Sequence, residues 1–168
     1  MEENLEKREY VFDTSALISL GAIKVMDEIL KLAEIVITLS IIKELEEFTK
    51  HDDEYGKASK EVLKYKDKFI VKKTEIKESI GYIQTTDNEL YNLSKILSRT
   101  LITDDIKFSR HIYGKIDTKF STFFLTLLVS SRCLSKQKAL ELLEKLRRIR
   151  NWRDNIIYLI TKNQLEML

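Results

Sequence analysis

Acidic side chains are plentiful in this chain, so position has to select among them, and five stand out: Asp13, Glu44, Asp87 and the adjacent pair Asp104 and Asp105. Were they to converge, mutual repulsion would raise their pKa values unless a cation neutralised them. A hard, all-oxygen donor set without His or Cys selects Mg²⁺ or Mn²⁺. Such ions activate water and stabilise charge developing on a phosphoryl oxygen, which makes metal-assisted phosphodiester hydrolysis the chemistry to expect.

Convergence depends on the elements that carry these acids. Tyr10-Val11-Phe12 is a short, β-prone apolar run ending at Asp13-Thr14-Ser15, and the pattern beyond it predicts a helix from Ala16 to Ala33 that Asp13 or Ser15 could cap. Ile35 to Leu39 reads as a second, fully buried strand, followed by a helix from a Ser40 cap to about Thr49. On that helix Ile41, Ile42, Leu45 and Phe48 form one apolar arc with Glu44 at its margin, where a carboxylate needs a partner. Residues 50–60 read as a mobile connection, 58–66 as a helix, and Phe69 to Val71 as a third strand.

Thr86-Asp87-Asn88-Glu89 fits a capping box, opening a helix with Leu90, Leu93, Ile96 and Leu97 on one face. Thr100 to Thr103 is a fourth strand, and Asp104-Asp105 follow it directly. Helical patterns then occupy 119–132, 137–150 and 153–165. Strands alternating with helices imply a parallel sheet covered on both faces, with ligands bound outside the carboxyl ends of the strands. Asp13 and the Asp104-Asp105 pair sit at that end of two different strands.

Composition narrows the field further. The 168 residues carry 29 Lys and Arg against 27 Asp and Glu, a net charge of +2, so any polyanion contact must come from a local patch. One such patch is the stretch 132–153, where, with Asp154 just beyond it counted in, Arg132, Lys136, Lys138, Lys145, Arg147, Arg148, Arg150 and Arg153 outnumber Glu141, Glu144 and Asp154 by five. It could track an RNA backbone, although a solvated helix face is the simpler reading. The four glycines are dispersed, which excludes a phosphate-binding loop of the Walker or dinucleotide kind. A single cysteine excludes an internal disulfide framework and a multi-cysteine zinc site. With no membrane-length apolar run and a charged opening segment MEENLEKRE, the expectation is a soluble cytoplasmic protein. Cys133 is expected in the core, Trp152 as a packing anchor, and His51 and His111 at the surface.

Val11 to Ile18, then Ile42-Lys43-Glu44-Leu45, then Thr86-Asp87-Asn88-Glu89-Leu90, then Leu101-Ile102-Thr103-Asp104-Asp105 resemble, in order, the successive motifs of PIN-domain nucleases. The resemblance covers about residues 9–115. It implies a three-layer α/β/α sandwich around a parallel sheet and a Mg²⁺- or Mn²⁺-dependent ribonuclease. It also implies that Asp13, Glu44 and Asp87 are metal-site acids, with Asp104 or Asp105 as the fourth. Spacing to Phe108 favours Asp105, adjacency to the strand end favours Asp104, and both stay open. Ser15 and Thr103 match small polar residues whose hydroxyls orient the carboxylates, and Arg110 could hold a phosphate nearby. The family includes toxins of toxin–antitoxin pairs and endonucleases that process RNA, so an antitoxin partner and a homodimer join RNA among the expected partners. The toxins are usually shorter; the helical tail after about residue 118 suggests another, archaeal-like subgroup. The whole chain reads as one PIN-like domain with its core at about 9–118 and a helical extension at about 119–168.

Plainer readings compete. Asp13 could be a helix cap, Asp87 a first-turn acid favoured by the helix dipole, and Glu44 a solvated helix residue. The fold could also be a catalytically inert module that binds RNA or protein. A phosphatase with Asp13 as covalent nucleophile is disfavoured, since the haloacid-dehalogenase pattern places a second Asp where Ser15 stands.

Overall fold

A computed structural model describes residues 7–168. Five parallel strands form one sheet in the order β3-β2-β1-β4-β5: β1 (Arg8–Phe12), β2 (Ala33–Ile37), β3 (Ile70–Val71), β4 (Leu101–Ile102) and β5 (Thr118–Lys119). Helices flank both faces, giving the α/β/α sandwich with a helical C-terminal region that the alternating pattern predicts. In the central strand β1, Tyr10 pairs with Ile35 and Val11 with Val36 on one side, while Phe12 pairs with Ile102 on the other. These strands are apolar on both faces because both faces are covered.

The strand order carries a functional consequence. From β1 the chain first builds outward through β2 and β3, then returns to add β4 and β5 on the opposite side. The reversal lies between β1 and β4, and a crevice opens at such a point beyond the carboxyl ends of the strands. Asp13 follows β1 and Asp104-Asp105 follow β4. The Asp13 N–H donates to the Ile102 carbonyl at 2.9 Å, so the pairing of the two strands runs into the first acid.

Five expectations needed correction. The helix predicted over 16–33 is two helices, α1 (Thr14–Ile23) and α2 (Met26–Leu32), divided where Lys24 adopts a left-handed φ of 57°. Residues 50–60 are largely helical: α3 (Leu39–Phe48) is followed by α4 (Glu54–Leu63), whose first turn is capped when Asp53 accepts from the Gly56 N–H at 2.8 Å. Helix α5 (Thr85–Leu97) starts after Gln84, and neither it nor α3 has a side-chain cap, so the Thr86 capping box and the Ser40 cap do not form. Cys133 is exposed rather than buried.

Close packing joins the early elements. A Cβ on Gly21 of α1 would lie 2.6 Å from the Ala58 carbonyl oxygen of α4, an approach that only glycine permits. Beyond α6 (Ile106–Ile112), the last helices are α7 (Phe123–Ser130), α8 (Lys136–Ile149) and α9 (Ile156–Met167). Phe124 of α7 is fully buried against β1, its ring 5.4 Å from both Phe12 and Tyr10. The apolar core is therefore continuous from β1 to Leu165. Trp152 is 6% exposed, the packing role expected of it. Among the described residues, no helix is long and apolar enough to cross a membrane.

Candidate functional site

Asp13 sits at the N-cap position of α1 but makes no capping bond. Its carboxylate is instead committed to hydroxyls: Ser15 Oγ and Thr103 Oγ1 each donate to its Oδ2 at 2.6 Å. Ser15 Oγ also accepts from the Asp104 N–H at 3.0 Å, and Thr103 Oγ1 accepts from the Asp105 N–H at 3.1 Å. Each hydroxyl has one proton, and the backbone donors occupying its lone pairs leave that proton for Asp13. The turn after β4 is thereby stitched to the end of β1. Asp13 is only 7% exposed, and burial raises its pKa, opposed by the Ser15 and Thr103 hydrogen bonds and reinforced by the charge on Glu44.

Glu44 projects from α3 at the edge of that helix's apolar face, where Thr14 Oγ1 donates to its Oε2 at 2.6 Å. Thr14 is the partner that the sequence left unassigned; it lies beside Asp13 in the same motif. Asp87 is the third residue of α5. Burial first, then the charges on Asp13, Asp105 and Glu44, push its pKa up to about 6, with a backbone hydrogen bond from Gln84 acting the other way. Asn88, the next residue, and Asn92, one turn further on, bond the backbone of residues 77–80 and so tie the preceding irregular segment to α5.

The two adjacent aspartates point to different places. Asp105 is exposed, caps α6 by accepting from the Phe108 N–H at 2.9 Å, and lines the cleft. Asp104 is 7% exposed and faces the interior, where its oxygens accept from the Ser121 N–H at 2.8 Å and Ser121 Oγ at 2.7 Å. Burial raises its pKa, while hydrogen bonds from Ser19 and Ser121 lower it. Successive residues of extended chain face opposite sides, which places Thr103 and Asp105 toward the cleft and Asp104 away from it.

A cleft of about 260 Å³ at the strand reversal brings together Asp13, Ser15, Glu44, Asp87 and Asp105, with Thr14, Gln84, Tyr55 and Arg150 also in its wall. A smaller hollow of about 90 Å³ adjoins it through Gln84, Asp87 and Asp105, adding Tyr82, Lys107 and His111. Arg110 is exposed and lines neither. His51 is exposed, whereas His111 is half-buried with its Nε2 enclosed and without a hydrogen-bond partner. A hollow of about 750 Å³ on the α8 surface between Lys136 and Arg148 has only Glu141 and Glu144 as lining acids.

Among the described residues, no three acidic, His or Cys side chains are gathered closely enough to form a metal-binding group as they stand. The donor chemistry still suits a hard dication. The lining acids offer only oxygen, and burial together with the charges of Asp13, Asp105 and Glu44 raises the pKa of Asp87, a cost that a bound cation would relieve. Mg²⁺ commonly takes one or two carboxylates directly and completes its shell with water and substrate phosphate.

A family model of the PIN domain matches residues 10–114, well over half of the chain. This chain belongs to the PIN-domain family. A search of curated proteins returned no match. PIN domains are typically nucleases that use divalent metals, so the chain has a nuclease-type fold, and Asp13, Glu44, Asp87, Asp104 and Asp105 all lie within the matched PIN segment.

Proposed function

We propose that this PIN domain is a Mg²⁺- or Mn²⁺-dependent endoribonuclease that hydrolyses RNA phosphodiester bonds, with Asp13, Glu44, Asp87 and Asp105 as its metal-site acids. The observation carrying this reading is that four carboxylates from four separate segments line one cleft at the strand reversal. A dication held there would polarise the phosphate and lower the pKa of an attacking water. The chain's own residues do the positioning. Ser15 and Thr103 fix Asp13 in one orientation, Thr14 fixes Glu44, and the Phe108 N–H fixes Asp105. Asp104 is assigned a structural role, anchoring the β4 turn to Ser121.

The PIN core and the helical extension are read as one domain, since Phe124 packs directly on β1. A cytoplasmic RNA-processing enzyme and the toxin of a toxin–antitoxin pair both suit this chemistry. A small DNA-binding protein encoded beside this one would favour the toxin role, with that protein as antitoxin partner. A catalytically inert PIN module binding RNA or protein is the second reading, favoured by the spread of the acids around the cleft. The deciding experiment incubates labelled single-stranded RNA with the protein in Mn²⁺, Mg²⁺ or EDTA, alongside Asp13→Asn. Cleavage by the wild type in either metal, lost in EDTA and in a folded Asp13→Asn, is expected. Equal cleavage by Asp13→Asn sinks the assignment, and RNA binding without cleavage establishes the inert module.

A further inference from the structure

Among the described residues lining the acidic cleft, only one carries a positive charge, Arg150. It is the C-cap of α8, outside the segment that matches the family. Its guanidinium carbon lies 5.1 Å from the centre of the Tyr55 ring and 5.9 Å from that of Trp152. Tyr55 in turn stacks on Phe48 at 6.4 Å, and both rings belong to the cleft wall. Two other basic residues of α8 are committed elsewhere: Arg147 pairs with Glu144 at 2.8 Å, and Lys138 pairs with Glu141 at 3.3 Å. Arg150 takes part in none of the ion pairs or side-chain hydrogen bonds found among the described residues. A guanidinium beside several carboxylates is ordinarily drawn into a two-pronged pair with one of them. Here aromatic faces support it instead, and its fork of N–H donors remains unused.

A phosphodiester entering an acid-lined cleft meets repulsion from every carboxylate. A stacked, already ordered arginine opposes that repulsion and loses little side-chain freedom on binding. We infer that Arg150 grips a non-bridging oxygen of a substrate phosphodiester in this cleft, so that the helical segment beyond the PIN match forms part of the binding site. The inference rests on the proposal that the cleft takes RNA.

The test compares wild type, Arg150→Gln, Arg150→Lys and Arg148→Ala, a neighbour on α8 that does not line the cleft. Binding of a fluorescent single-stranded RNA oligonucleotide is followed by anisotropy over a range of salt, and KM and kcat are measured in Mn²⁺. Arg150→Gln should weaken binding and raise KM about tenfold, with a salt slope shallower by about 0.7, one phosphate contact's worth on a single strand. Arg150→Lys, keeping charge but losing the fork, should retain the salt slope and fall between wild type and Arg150→Gln. Arg148→Ala should stay within about twofold of wild type. An Arg150→Gln variant that binds as wild type does, or Gln and Lys variants equally weakened with unchanged salt slopes, overturns the inference. The binding arm reads Arg150 even if the protein cuts nothing, so failure of the nuclease reading and failure of this one give different results.

Discussion

Neutralising Asp87 should stabilise the metal-free protein while destroying its activity. Its carboxyl titrates at about 6 in the folded chain against 3.8 ordinarily, which as a fully felt shift amounts to about 3 kcal/mol. The group is only half-buried, and solvent screening removes a large share of that figure. Its place in the first turn of α5 returns some stability to the charged form, about 0.3–1 kcal/mol. A net gain of about 1 kcal/mol for Asp87→Asn is left, equivalent to roughly 2–4 °C in Tm for a chain of this length. The gain depends on pH. The folded state holds the proton more tightly than the unfolded one, so wild-type stability is highest below pH 3.8 and declines as pH rises through about 6. Thermal melts in EDTA should therefore show Asp87→Asn well above wild type at pH 8 and nearly level with it at pH 4. Saturating Mn²⁺ at pH 8 should reverse the order, because the wild type alone keeps the full set of acids. A difference independent of pH, or a less stable variant at pH 8, would refute the burial and charge crowding that raise the Asp87 pKa.

The two neighbouring aspartates should separate in their effects: Asp105→Asn loses cleavage while keeping its cap on α6, whereas Asp104→Ala leaves cleavage at low temperature but lowers stability by about 2 kcal/mol in denaturant titration. Thr14→Val removes the 2.6 Å bond that orients Glu44, and kcat should fall about tenfold with an unchanged circular dichroism spectrum. Gly56→Ala would drive a Cβ to 2.0 Å from the His51 carbonyl oxygen; a loss of at least 2 kcal/mol is expected in the same titration.

What was legible in the sequence followed from burial. β1, β2 and β4 are covered on both faces, so their apolar runs stand out, and the acids after β1 and β4 were located with them. Glu44 was found because one charged residue sat at the edge of an apolar arc. The break at Lys24 carries no Gly or Pro to announce it, and β5 is only two residues of an edge strand, Thr118 and Lys119, with no periodicity to read. The choice between Asp104 and Asp105 could have been made from alternation, since Thr103 and Asp105 share a side of the extended chain. The place of Arg150 could not. Eight basic residues crowd residues 132–153, and only tertiary packing against Tyr55 turns this one into the cleft.

The Asp104–Ser121 link has a bearing on how this protein can be divided. Ser121 lies seven residues past the end of the PIN match, yet its N–H and hydroxyl supply two hydrogen bonds to the buried Asp104 carboxyl next to the cleft. A version trimmed at residue 114 would leave that carboxyl only its Ser19 hydrogen bond and strip Phe124 from the central strand. Such a trimmed protein would misfold or loosen where its chemistry has to be most rigid, and its silence in an assay would say nothing about the intact chain.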